Sequence, residues 1–170
     1  MKDSHGEAVR WLRQAENDLD FARLALKEGF FHQACFISQQ AAEKALKSIL
    51  YALGERVVLG HSLVDLLKRL SGRVPEITAR KEAAGVLDQY YVAARYPNGL
   101  PGGMPFEVFG QTQAKSATEE AAGFVALAGR QVASLHETAS PDQSAERPVA
   151  KRGEVVDGAR EGEEDEKGGE

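Results

Sequence analysis

Few residues in this chain have the type and spacing that chemistry needs. The four histidines, His5, His32, His61 and His136, show no HExxH or comparable ligand pattern. His32 and Cys35 stand three residues apart, half of a tetrahedral metal site, but no second pair completes it. Neither a metal nor an organic cofactor is expected. Gly60-His61-Ser62-Leu63-Val64 lacks the closing glycine of a nucleophile elbow. The segment from Gly99 to Gly103 matches neither a P-loop nor a dinucleotide fingerprint.

Three polar groups remain, each with two readings. Asp18 shares a helical row with Trp11, Ala15, Ala22 and Ala25. There a carboxylate needs a partner, as a structural ion pair or as the group that orients a site residue. Gln40, Lys44 and Lys47 line one side of a helix, as a solvated face or as the polar wall of a ligand groove. Arg95 stands where a helix meets a long loop. It either satisfies the last helical carbonyls or offers its guanidinium fork to a phosphate.

The elements that must position these groups read as helices. Ser4 and Glu7 have capping-box spacing. Behind them Ala8, Leu12, Ala15, Leu19, Ala22 and Leu26 recur at steps of four and three, one apolar stripe of a helix that stops at Gly29. A second helix is expected from about Phe30 to Leu53, with Gly54 beyond it and an i,i+4 pair in Glu43 and Lys47. Its small face (Ala34, Ser38, Ala41, Ala45) invites a close neighbour. Ser62 caps a short third helix, Leu63 to Leu70, and a fourth runs from Pro75 to the stop at Pro97. Residues 95–111, rich in proline and glycine, form a long loop, often a functional feature. A fifth helix spans about Thr112 to His136. The expected architecture is an all-α antiparallel up-down bundle of four to five helices over residues 1–137. Residues 138–170, without aromatics or apolar periodicity, read as a disordered acidic tail.

Charge narrows the partners. Residues 138–170 hold ten acidic and five basic residues, so the bundle holds sixteen of each and the chain's net −5 belongs to the tail. A neutral domain exerts no general pull on nucleic acid, so any such contact must be a local patch. Cys35, the only cysteine, excludes an intramolecular disulfide and reads as a buried apolar residue. The N-terminus has no apolar run before Val9, and the longest such run, Ala121 to Gly129, is far shorter than the roughly 20 residues of a membrane span. A cytoplasmic protein without membrane contact is expected.

Four stretches together resemble a known family. These are Ala15 to Ala22, Phe36-Ile37-Ser38-Gln39-Gln40-Ala41-Ala42-Glu43-Lys44-Ala45-Leu46-Lys47, His61-Ser62-Leu63, and Leu87-Asp88-Gln89-Tyr90-Tyr91 followed by Ala94-Arg95-Tyr96-Pro97-Asn98. In order and spacing they resemble the HEPN family over about residues 7–135. The resemblance implies a dimerising bundle, often paired with a minimal nucleotidyltransferase. In some pairs it is a toxin, a metal-independent ribonuclease that uses an Arg followed four to six residues later by a His. Arg95 matches that Arg, but the stretch from Leu100 to Gly103 offers no proton carrier, and Tyr96 replaces the polar residue often found after the Arg. The chain is therefore expected to be a binding module for nucleotide or RNA, with a ribonuclease using His61 and a purely structural dimer as alternatives. Its ligand-binding candidates are Arg95, Tyr96, Asn98, Asp18, Gln40, Lys44 and His61.

Overall fold

The computed structural model describes residues 4–139. Three long helices, α1 (Ser4–Lys27), α2 (Phe31–Ala52) and α7 (Gln111–Ala139), form its body. Between α2 and α7 come the short α3 (Leu63–Leu70), α4 (Lys81–Asp88), α5 (Tyr90–Ala93) and α6 (Pro105–Val108), with 3-10 turns at Pro75–Arg80 and Pro97–Gly99. No strand occurs among the described residues. The expected all-α bundle is what the chain forms. Residues 140–170, which include most of the expected tail, lie outside the described residues, and Thr138 belongs to α7.

Helix directions follow from side-chain pairs. Asp18 meets Lys44 across α1 and α2, and Trp11 stacks on Tyr51, so these helices are antiparallel. His5 stacks on His136, so α7 also opposes α1. Glu76 with Arg130 and Arg80 with Glu120 set the return leg antiparallel to α7. The sequence of directions is up, down, up, down.

Alanine is the reason these helices pack closely. Ala8, Ala15, Ala22 and Ala25 of α1, Ala34, Ala41, Ala42 and Ala45 of α2, and Ala114, Ala117, Ala121 and Ala128 of α7 are all buried. Small faces let neighbouring backbones approach, while Leu46, Ile49, Leu50, Phe124 and Leu127 fill the remaining volume. The central helix is α2, buried on more than one face. Gly29 and Gly54 follow α1 and α2 with φ of +82° and +91°, the left-handed cap that glycine adopts without strain.

Three expectations change. The expected fourth helix is three pieces: a 3-10 turn, α4, and α5 after a tightened turn in which Gln89 N–H bonds the Val86 carbonyl. The long loop contains its own 3-10 turn and α6. The Ser4–Glu7 capping box also gives way: Ser4 already lies within α1, and Glu7 accepts from Arg10 Nη1 and Trp11 Nε1, each at 3.1 Å. No described helix is long and apolar enough to cross a membrane.

Candidate functional site

Residues four apart lie one above another on a helix, so Gln39, Glu43 and Lys47 form one polar row on α2. The row is interior: Gln39 is 0%, Glu43 4% and Lys47 5% exposed. Charges so placed persist only when paired and hydrogen-bonded. Lys47 Nζ lies 2.8 Å from Glu43 Oε1 and 5.4 Å from the centroid of the Trp11 ring. The expected Glu43–Lys47 pair therefore forms. For Lys47 the solvated-face reading fails, because α1 covers that side with Trp11.

Glu43 reaches beyond its own helix. Its Oε1 and Oε2 lie 3.1 and 3.3 Å from Nδ1 of His61, and Gln39 Nε2 donates to the His61 carbonyl at 3.0 Å. A second carboxylate anchors the same segment. Asp88, the last residue of α4, accepts from Ser62 Oγ at 2.8 Å and from the backbone N–H groups of Leu63 and Val64 at 2.7 and 3.2 Å. Those N–H groups belong to the first turn of α3, where no helical carbonyl can serve them and negative charge is favoured. Ser62 Oγ in turn accepts from Asp65 N–H, the expected cap.

This anchoring brings His61 against Tyr91 of α5, with ring centroids 5.1 Å apart and planes at 16°. Tyr91 is also a neighbour of Arg95. The Arg95 guanidinium carbon lies 4.6 Å from the centroids of Phe36 and Tyr91 and 4.9 Å from that of Tyr96. Its Nε donates to the Tyr91 carbonyl at 2.8 Å, while its Nη atoms have no hydrogen-bond partner among the described residues. The helix-end reading of Arg95 is met by Nε, and the two Nη atoms are engaged by no described residue.

The other candidates extend the chain of contacts across α2. Gln40 Nε2 donates to Gln39 Oε1 at 2.7 Å and to Glu43 Oε2 at 3.3 Å. Lys44 Nζ reaches Gln40 Oε1 at 3.5 Å and Asp18 Oδ2 at 2.7 Å, and Gln14 Nε2 donates to Asp18 Oδ1 at 2.7 Å. Asp18 is thus a structural ion pair at the edge of α1. A groove of about 570 Å³ opens beside Lys44, walled by Arg10, Arg13 and Asn17 among others.

The family model described as HEPN domain matches residues 8–131. The chain belongs to the HEPN domain family. Two solved structures resemble this HEPN chain over nearly their full length. TT1696 from Thermus thermophilus is 39% identical, covers 73% of this chain and 97% of its own, and superposes with a TM-score of 0.69. ST0689, an archaeal HEPN homologue, is 32% identical, covers 78% and 99%, and gives 0.61. No curated protein matches the chain.

Six of the seven expected ligand residues join one path through this HEPN bundle, from Asp18 through Lys44, Gln40, Glu43, His61, Tyr91 and Arg95 to Tyr96. Asn98 is exposed in the 3-10 turn and joins no hydrogen bond among the described residues. Sequence reasoning missed Phe36, Glu43, Asp88 and Tyr91 as site residues. Glu43 carried a signal: a carboxylate midway along a helix whose neighbours are alanine, leucine and isoleucine must find partners inside. Asp88 and Tyr91 carried only their place in a stretch that resembles the family, since their contacts lie about 25–30 positions away in the chain. His32 and Cys35 gain no third ligand, and among the described residues no three His, Cys, Asp or Glu side chains cluster. Burial pushes the Cys35 thiol up to about 12 and, with the Cys35 charge as a smaller cause, raises the Tyr90 phenol.

Proposed function

We propose that this HEPN protein is a binding module for a nucleotide or short RNA, centred on Arg95. The observation that carries the reading is the posture of Arg95. A guanidinium stacked among three rings has already lost its rotamer freedom, and its free Nη edge matches two phosphate oxygens. Tyr96, 49% exposed, adds a ring on which a base can stack. Family resemblance supports a homodimer and a partnership with a minimal nucleotidyltransferase in a toxin–antitoxin-like pair. Arg95→Ala is expected to weaken binding of AMP or a short RNA by about ten- to a hundredfold, the worth of one charge-assisted contact. Calorimetric titration of the two proteins checks this; equal affinities would sink the proposal and move the function to a protein-binding surface.

A second reading, a metal-independent ribonuclease, has one observation in its favour: His61 and Arg95 lie against the same Tyr91 ring. In that reaction the 2′-oxygen bonds to phosphorus as the bond to the 5′-oxygen breaks. Nε2 of His61 takes the 2′-hydroxyl proton and returns it to the departing 5′-oxygen, while Arg95 balances charge on the phosphate. Cleavage in a metal-free assay that disappears in both His61→Ala and Arg95→Ala supports this reading. Wild-type cleavage no faster than in those variants leaves the binding module.

A further inference from the structure

A neutral imidazole carries a proton on one ring nitrogen and a lone pair on the other, and the partner of the first settles which is which. For His61 that partner is Glu43. Its carboxylate is buried, and it is held by Lys47 Nζ at 2.8 Å, Gln40 Nε2 at 3.3 Å and Gln39 Nε2 at 3.5 Å. An ionised carboxylate only accepts hydrogen bonds, so the nitrogen facing it at 3.1 Å, Nδ1, must be the N–H. The lone pair then falls on Nε2. That atom has no hydrogen-bond partner among the described residues, and it sits on a side chain that is 58% exposed.

Resting on the reading of Arg95 as the phosphate-binding group, we infer that Glu43 is a positioning residue that makes the site selective for ribonucleotides. Glu43 holds His61 with an accepting Nε2 beside the Tyr91–Arg95 stack, where it takes a hydrogen bond from a ribose hydroxyl while Arg95 holds the phosphate. The arrangement is indirect: Glu43 is interior and touches no ligand, and the ion pair with Lys47 fixes it in place. A deoxyribonucleotide lacking the 2′-hydroxyl leaves Nε2 without that donor. A site built around a substrate hydroxyl rejects the analogue that lacks it.

Two measurements test this. Nitrogen-15 NMR of histidine-labelled protein at pH 8 reads the tautomer of His61 directly, and the expected result is a proton on Nδ1. A proton on Nε2 in the wild type overturns the inference whatever any variant does. In Glu43→Leu/Lys47→Met the buried pair is replaced by apolar side chains of similar size, an exchange that interiors commonly tolerate. That variant should keep its helical circular dichroism and lose the fixed Nδ1–H tautomer; an unchanged tautomer in the folded variant shows that Glu43 is only structural. Titration with AMP and with 2′-deoxyadenosine monophosphate then reads the selectivity. The wild type should prefer AMP by about tenfold and the double variant should not, the loss expected of one unmade hydrogen bond. Equal affinities in the wild type overturn the ribose contact. Failure of AMP to bind at all sinks the Arg95 reading and the ribose contact with it, whereas the tautomer reports on Glu43 alone.

Discussion

At the scale of single residues, burial separates the groups that can react from those that cannot. Cys35 is 0% exposed, and its thiol is pushed up to about 12 from an ordinary 9.0. The thiolate is the reactive form, so at pH 8 native Cys35 should react with iodoacetamide more than about a thousandfold slower than the unfolded chain. Stopped-flow alkylation with and without denaturant measures that ratio; comparable rates would mean that the core around Cys35 opens freely. The same shift sets a pH dependence. Between about 9 and 12 the unfolded chain releases the thiol proton while the native chain keeps it, so stability should fall as pH rises through this window. The raised Tyr90 phenol acts in the same direction. Melting curves of wild type and Cys35→Ala over that range should diverge, with the flatter profile in the variant.

At the scale of elements, the site depends on two joints as well as on α2, which supplies Phe36, Gln39 and Glu43. Asp88 ties the end of α4 to the start of α3 and, together with the bonds from Gln39 and Glu43 to His61, lays His61 against Tyr91. Asp88→Ala leaves two helix N–H groups and a hydroxyl without their acceptor, a loss of about 1–3 kcal/mol and a melting point lower by roughly 3–10 °C. Nucleotide affinity should fall as well, although Asp88 touches no ligand. A variant as stable as the wild type would show that water replaces the carboxylate. Gly99 is the second joint. A Cβ there would come within 2.9 Å of the Ala93 Cα and 3.2 Å of its nitrogen, backbone atoms that cannot move aside. Gly99→Ala should therefore lift the Pro97–Gly99 turn off α5 and loosen Tyr96 from Arg95. Its signature is weakened AMP binding with helix content retained, read by titration beside circular dichroism. The joints also show where the sequence stopped being legible. Apolar periodicity and capping residues place α1, α2, α3 and α7 because those signals are local. The breaks around Gln89, and the meeting of Asp88 with Ser62, are set by packing between segments that no local pattern relates. Arg95 and Glu43 differ for the same reason: a helix-end arginine announces itself, while a carboxylate on a buried helix is legible only to a reader who asks what it must bond.

At the scale of the whole molecule, the described core and the family match end at nearly the same residue. Among the described residues every buried core side chain lies between Ala8 and Val132, and the HEPN match ends at residue 131. The homodimer proposed above has a candidate surface that is equally local. Val92, Tyr96, Met104, Phe106 and Val108 are large apolar side chains left 42–63% exposed, all within residues 92–108 of the chain. Exposed apolar groups gathered in this way favour a protein contact, and a two-fold dimer would bring the same stretch of both copies together. A chain ending at Ala139 should accordingly melt within a few degrees of the full chain and remain a dimer at micromolar concentration by light scattering. Phe106→Asp in the same shortened chain should shift it towards monomer without changing its circular dichroism, because Phe106 is 63% exposed and contributes little to the core. A large loss of stability on truncation would place core contacts beyond residue 139. A dimer untouched by Phe106→Asp would move the interface elsewhere, with Phe21, Leu24 and Phe30 at the tip of the α1–α2 hairpin as the next exposed apolar group.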